Sequence, residues 1–211
     1  MPHLSETSVG RASLARVCSG IAEDGFAIVS GFAGAGLTRT LASEARRRDA
    51  AEEFHPSGVG RGAARVERAD VRGDRVCWLD ASALASPEEA WFEALEALRV
   101  ELNQRTLLGL FSLEAHYAIY PPGAFYRRHR DRFRDDDARV LSWVLYLNEA
   151  WTVADGGALR LHLAWDDARD VLPLGGTLAC FLADRFEHEV LPCRRERVSL
   201  TGWFRRRADA P

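Results

Sequence analysis

A β-sandwich or jelly roll with helices packed on one face is the fold class the sequence predicts, α+β rather than alternating α/β. Three observations predict it. Helical periodicity is confined to the stretch before Leu110. Beyond it come short segments of strand character, and Gly and Pro pairs punctuate them every ten residues or so. Helices first and many short strands afterwards is the order expected of helices supporting an antiparallel sandwich.

Each element follows from its spacing. Leu14, Val17, Cys18 and Ile21 fall at i, i+3, i+4 and i+7, one buried stripe of a helix that Asp24-Gly25 ends. Phe26–Val29 then reads as a short strand, and about Leu37–Ala51 as a second helix. Residues 57–74 carry Gly58, Gly60, Gly62 and Gly73 with few apolar anchors, which predicts a mobile flap. A third helix is expected from Ser86 to about Arg105, with Ser86 as cap, Pro87 in the first turn, Glu89 closing a capping box, and Trp91, Leu95, Leu98 and Leu102 on its buried face. Strands are expected at Glu114–Tyr120, Val140–Leu147, Ala158–Leu163, Thr177–Leu182, His188–Leu191 and Arg197–Phe204. The length of 211 residues suits one domain over 1–211, helical over about 11–107 and β over about 111–206.

Composition narrows the function. All 28 basic residues are arginine, a bias expected of a GC-rich bacterial genome. A net charge of −3 provides no general field for nucleic acid. Cys18, Cys77, Cys180 and Cys193 are scattered, which argues against a disulfide framework or a zinc ribbon. No leader and no apolar stretch of about 20 residues is visible, so the expected compartment is the reducing cytoplasm.

The chemistry begins with His129 and Asp131. Residues i and i+2 of a strand share a face, so imidazole and carboxylate can converge on one ion; alone, the pair reads equally well as solvated loop. His188, 57 residues beyond Asp131, supplies a second imidazole. Two histidines and one carboxylate form a facial triad that leaves three positions open on iron(II). A structural zinc site would require a fourth protein ligand. Arg197 lies nine residues after His188. If the two stand on adjoining strands, its guanidinium enters the same cavity and can fork onto the far carboxylate of a dicarboxylate cosubstrate. Iron(II), Asp131, such a dicarboxylate and Arg197 together are electrically neutral, as a buried site requires.

With those residues in place the sequence resembles a known family. The motifs YPPGAFYRRHRDRF, ARVLSWVLYLNEAW, GGALRLH and FLADRFEHEVLPCRRERVSLTGWF look like those of the prolyl-4-hydroxylase type of 2-oxoglutarate oxygenase, in particular the hypoxia-sensing prolyl hydroxylases and their bacterial relatives. The resemblance spans about Gly20–Phe204. It implies a double-stranded β-helix core, with His129, Asp131 and His188 holding iron(II) and Arg197 holding the far carboxylate of 2-oxoglutarate. Dioxygen as cosubstrate and ascorbate as reductant go with it. Tyr146 matches the family tyrosine that bonds the same carboxylate, while Tyr120 and Tyr126 match tyrosines that line the pocket. Ser199 either adds a hydrogen bond there or faces the cavity as a neutral residue. The segment DVRGDRVCWL likens Arg72, Asp74 and Trp78 to residues at the end of a substrate flap, with Arg139 as the arginine that pairs with the flap aspartate. His3, His55, His116 and His162 have no partner at metal spacing and are expected to be structural or surface residues. Asp131 disfavours a halogenase.

The resemblance implies a prolyl residue of a protein as substrate, a translation factor such as elongation factor Tu among bacterial relatives, gripped by the flap and by Arg127–Arg134. Three alternatives stand beside it. One is a hydroxylase of a free amino acid or other small molecule. Another is a nucleic-acid demethylase, disfavoured because Trp203 stands where a second arginine is expected. The last is a non-catalytic sandwich, disfavoured because every catalytic position is filled. Oligomeric state is not legible.

Overall fold

The computed structural model describes residues 9–58, 66–131, 138–164 and 166–207. His3, residues 59–65 of the expected flap and residues 132–134 of the arginine-rich rim lie outside them. Helices α1 (Arg11–Glu23), α2 (Ala35–Ala50) and α3 (Ser86–Thr106) pack beneath a sandwich of eleven described strands. These are β1 (Phe26–Val29), β2 (His55–Pro56), β3 (Arg75–Trp78), β4 (Leu110–Tyr120), β5 (Tyr126–His129), β6 (Arg139–Tyr146), β7 (Leu159–Ala164), β8 (Asp167–Val171), β9 (Leu178–Leu182), β10 (Glu187–Val190) and β11 (Arg197–Arg206). The larger sheet runs β1-β9-β6-β11-β4-β3-β2 and the smaller β5-β10-β7-β8. Every paired strand is antiparallel. This is the jelly-roll architecture the sequence predicts.

Period-2 alternation divides the larger sheet into two chemical faces. Towards the helices it presents Tyr117 and Ile119 of β4, Leu141, Trp143 and Leu145 of β6, and Val198, Leu200 and Phe204 of β11. All belong to one core with Trp91, Leu95, Leu98 and Leu102 of α3. The opposite face carries His116, Ala118 and Tyr120, then Val144, then Arg197, Ser199, Thr201 and Trp203, and these line a cavity. A one-residue slip of β11 would exchange Arg197 for Val198, so the buried helix face fixes the register that aims the polar residues inward.

Gly202 makes the close packing of β11 feasible. A Cβ there would stand 2.0 Å from the Glu114 carbonyl oxygen and 2.7 Å from Trp143 Cζ2. Gly202→Ala should therefore destabilise the fold by about 2–3 kcal/mol through overpacking. Urea denaturation of the two proteins checks this.

Three sequence expectations are corrected here. The cap of α3 is Ala85, not Ser86, and the glutamate that reaches back is Glu88, whose Oε2 accepts the Ala85 N–H at 2.8 Å. Arg48 explains the choice, because it forks onto both Glu88 carboxylate oxygens at 2.8 Å and fixes that side chain under the helix start. Next, β10 and β11 are not adjoining strands: the turn through Pro192 crosses the sandwich, putting His188 in the smaller sheet and Arg197 in the larger. Finally, the short β2 and β3 and the exposed β8 are not among the expected strands; the β8 sequence Asp167-Ala-Arg-Asp has no apolar alternation.

Candidate active site

Strand β5 would be an unremarkable arginine-rich segment but for its partner. In the β5–β10 pair His129 stands directly opposite His188, and their ring centroids are 4.3 Å apart. Asp131 lies just beyond the end of β5 rather than on it. Its inward turn is held by the Ser142 hydroxyl of β6, which donates to Oδ2 at 2.7 Å. The other carboxylate contacts complete a compact group: His129 Nε2 is 3.5 Å from Oδ1 and His188 Nε2 is 3.5 Å from Oδ2. The ligand atoms of all three side chains lie within 4.8 Å of one another, a spacing suited to one ion.

The electrostatics prepare the group for a metal. His129 Nδ1 lies 2.7 Å from the Arg127 carbonyl oxygen, and His188 Nδ1 lies 3.5 Å from that of Phe186. Donation from each Nδ1 leaves the Nε2 lone pairs facing Asp131. Burial pushes His188 down to about 4, against the pull of Asp131, so its imidazole is neutral as ligation requires. Burial alone would raise Asp131, but the facing His188 and His129 and the Ser142 bond hold it well below the usual carboxylate range. The result is an anion facing the neutral His188 imidazole, with the His129 Nε2 beside it.

Across the cavity, Arg197 is 2% exposed. Its Nε donates to the Gly157 carbonyl at 2.9 Å and its Nη1 to Ser199 Oγ at 3.3 Å. The guanidinium carbon lies 4.9 Å from the Tyr120 ring centre and 5.2 Å from that of Tyr146. No carboxylate among the described residues pairs with it. The Tyr146 hydroxyl, fully buried beside it, also lacks a hydrogen-bond partner. A buried cation and an orphaned phenol at one end of a closed slot are costly unless an anionic ligand arrives between them. Gly157 is part of the design: at φ +67° a Cβ would crowd Cys193 at 3.0 Å and Arg197 Cδ at 3.2 Å.

Between the two groups lies a cavity of about 310 Å³ lined by both sheets. Leu159, Phe181 and Val190 form apolar walls, while Tyr126, Arg72 and Trp78 stand towards its mouth. Tyr126 stacks on His129 with centroids 3.7 Å apart and carries Arg72 over its other side at 4.2 Å.

The expected pairing of Asp74 with Arg139 is not formed. Asp74 is buried, and Arg72 forks onto it at 2.8 and 2.5 Å while Ser57 Oγ donates at 2.7 Å. Burial would raise this carboxyl, but those two partners hold it low. Arg139 instead donates to Glu114 at 2.8 Å and lies 3.5 Å over the Trp203 ring. Arg72 wins because it is two residues from Asp74 and meets both oxygens in plane, the stronger geometry. The flap segment is thereby anchored at both described ends: Ser57 at one, and Arg72 at the other, bridged to Tyr126.

Sequence reasoning passed over Ser142 and Asn148. Asn148 donates to the Val198 and Pro173 carbonyls and accepts the Val198 N–H, which locks the strand next to Arg197. Both are polar residues interrupting apolar strands, a signal the sequence did carry.

The chain is similar to known proteins over most of its length. Residues 115–205 match the family model described as the 2OG-Fe(II) oxygenase superfamily. A prolyl-4-hydroxylase crystal structure from Pseudomonas putida is similar at 48% identity and a TM-score of 0.84, over 92% of this chain and 100% of that one. A prolyl hydroxylase of Trichoplax adhaerens, solved in complex with a hypoxia inducible factor oxygen degradation domain peptide fragment, is similar at 25% identity and a TM-score of 0.83, over 92% of this chain and 89% of that one. The hypoxia-inducible factor prolyl hydroxylase of Caenorhabditis elegans is 30% identical over 86% of this chain, which spans 27% of that protein's length.

Proposed function

Because the chain belongs to the 2OG-Fe(II) oxygenase superfamily and is an enzyme of the prolyl 4-hydroxylase type, we propose that it hydroxylates a prolyl residue within a protein or peptide. His129, Asp131 and His188 hold iron(II); Arg197 and Tyr146, with Ser199 and the Tyr120 ring beside them, receive the far carboxylate of 2-oxoglutarate. The donor set fits the metal, and the unpaired guanidinium and orphaned phenol fit the cosubstrate. Bound there, iron(II) supplies the activation of dioxygen that converts 2-oxoglutarate to succinate and carbon dioxide and places one oxygen atom on a prolyl C–H carbon.

The chain's own residues set the conditions for that chemistry. Asp131 stays anionic, and the two carbonyl-anchored histidines keep their Nε2 lone pairs aimed at one point. Arg197 and Tyr146 fix the cosubstrate by its far end, so its other end meets the metal in one orientation. Leu159, Phe181 and Val190 exclude water from the reacting centre. Tyr126, held between His129 and Arg72, closes the side towards the flap, where Trp78 and Arg139 line the cavity and buried Asp74 holds Arg72 in place.

A single observation carries the peptide reading over the free amino acid. Among the described residues lining the cavity, Asp131 is the only carboxylate. A free amino acid brings an ammonium that must be neutralised when buried, and the described lining residues offer no second acid for it. A prolyl residue in a peptide is neutral and apolar, which suits the aromatic walls and the half-exposed Trp78 at the mouth. The four buried free cysteines suit the reducing cytoplasm as its compartment.

The experiment is to incubate desalted bacterial lysate protein, or free L-proline, with enzyme, iron(II), 2-oxoglutarate and ascorbate. Mass spectrometry should find +16 Da on proline in the protein digest and no oxidised free proline. Elongation factor Tu, the substrate class the resemblance implies, is inspected first. Oxidation of free proline alone would overturn the peptide reading.

A further inference from the structure

Strand β4 carries a histidine that the metal site does not use. His116 is 4% exposed and lies in a row across the larger sheet, directly opposite Trp78 of β3 on one side and Thr201 of β11 on the other. Its ring centroid is 4.5 Å from that of Trp78 and 5.5 Å from that of Trp203. All four residues line the cavity.

Two polar neighbours are already committed, while Trp203 Nε1 beside the ring is, like the ring, buried without a partner. Thr201 Oγ1 donates to the Trp143 carbonyl, and Asp74 is taken by Arg72 and Ser57. The His116 side chain makes no hydrogen bond to any described residue, and its Nδ1 is buried without a partner. Burial, reinforced by Arg72 and Arg139, pushes the ring down to about 3, so it is a neutral imidazole with one donor and one acceptor. An uncharged, desolvated and unpaired ring in the cavity wall is expensive to keep unless a ligand completes it.

Position identifies that ligand. The cosubstrate slot runs between the triad and the Arg197–Tyr146 end, along β6 and β11. His116 stands on the far side of β11 from β6, about 10 Å across the sheet from β6 at the usual strand spacing. The space over it is therefore left for the substrate. We propose that His116 is a specificity-determining residue that hydrogen-bonds a main-chain amide group of the substrate peptide beside the target proline. Such a bond selects a peptide over free proline, which has no peptide amide. The inference rests on the peptide-hydroxylase reading above.

The test uses His116→Phe, which keeps an aromatic ring without the hydrogen bond, His116→Leu as a second variant lacking it, and His116→Gln, which retains donor and acceptor. Desalted bacterial lysate protein is the probe, and hydroxyproline in its acid hydrolysate is the readout, alongside succinate released without protein substrate. The apparent KM for lysate protein should rise about five- to tenfold in the Phe and Leu variants, the loss of one hydrogen bond. The Gln variant should recover most of it. Succinate release without substrate and the KM for 2-oxoglutarate should stay within about twofold of the parent. A parent-like KM for lysate protein in whichever of the Phe and Leu variants folds would overturn the assignment to His116. Absence of hydroxyproline with the parent enzyme would instead remove the peptide reading and this inference with it.

Discussion

Replacing Asp131 with Ala should abolish oxidation and lower affinity for manganese(II), measured by calorimetry, by at least about 100-fold. Asp131 is the only anion in the triad, and both histidines face it at 3.5 Å. Without it, two neutral nitrogens remain to hold a divalent ion against water. His129→Ala and His188→Ala should lose affinity to a similar degree. The fold should survive in each case: removing Asp131 leaves one buried Ser142 hydroxyl without its acceptor, a cost of about 1–3 kcal/mol, but also relieves a buried charge. Ser142→Ala separates positioning from ligation. It keeps all three ligands but frees the carboxylate to rotate, so metal affinity should fall by about 10-fold to 100-fold, as when other outer contacts of metal ligands are removed. Three triad variants that bind manganese(II) like the parent would place the metal elsewhere.

The second large effect belongs to Arg197. Arg197→Met should raise the KM for 2-oxoglutarate by at least about tenfold, near 1.4 kcal/mol, because the charge-assisted bond to the far carboxylate is gone. Manganese(II) binding should persist, since the guanidinium sits at the opposite end of the slot from the triad. A thermal readout adds a sign. In the free enzyme Arg197 is a buried cation with no carboxylate partner among the described residues. The Met variant should therefore melt within a few degrees of the parent, losing the Gly157 bond but also the burial cost of a charge. With 2-oxoglutarate and manganese(II) added, the parent should gain melting temperature by linkage and the variant should gain far less. An unchanged KM together with an unchanged ligand-induced shift would mean that the carboxylate anchor is another residue.

The two effects differ in kind. Triad variants fail to assemble the metal centre, whereas the Arg197 variant assembles it and fails to hold the cosubstrate. Measuring metal affinity and KM together distinguishes them without reference to the substrate.

Much of this was written in local sequence. Helix α1 follows from the stripe of Leu14, Val17, Cys18 and Ile21, and β1 matches its predicted bounds at both ends. The inward and outward faces of β11 are readable from the polar–apolar alternation over Arg197–Thr201. The triad was legible because two side chains two apart and a third on a distant strand are few enough to be recognised by type. Those features depend on period and residue chemistry, which are properties of the chain itself.

Only the tertiary structure decided the rest. It put His188 and Arg197 in opposing sheets, because the Pro192 turn crosses the sandwich, and sequence distance carries no sign of which sheet a strand joins. It turned Asp131 inward by a hydroxyl eleven residues away, on a strand of the other sheet. It gave Asp74 to Arg72 instead of Arg139, because ion pairing is decided by reach and planarity in three dimensions and both arginines were available by charge. It also took His116, by sequence one more histidine without a metal partner, and left it unpaired in the cavity wall. Whether a polar side chain is satisfied depends on every neighbour that packing brings within about 3 Å, and those neighbours come from distant parts of the chain.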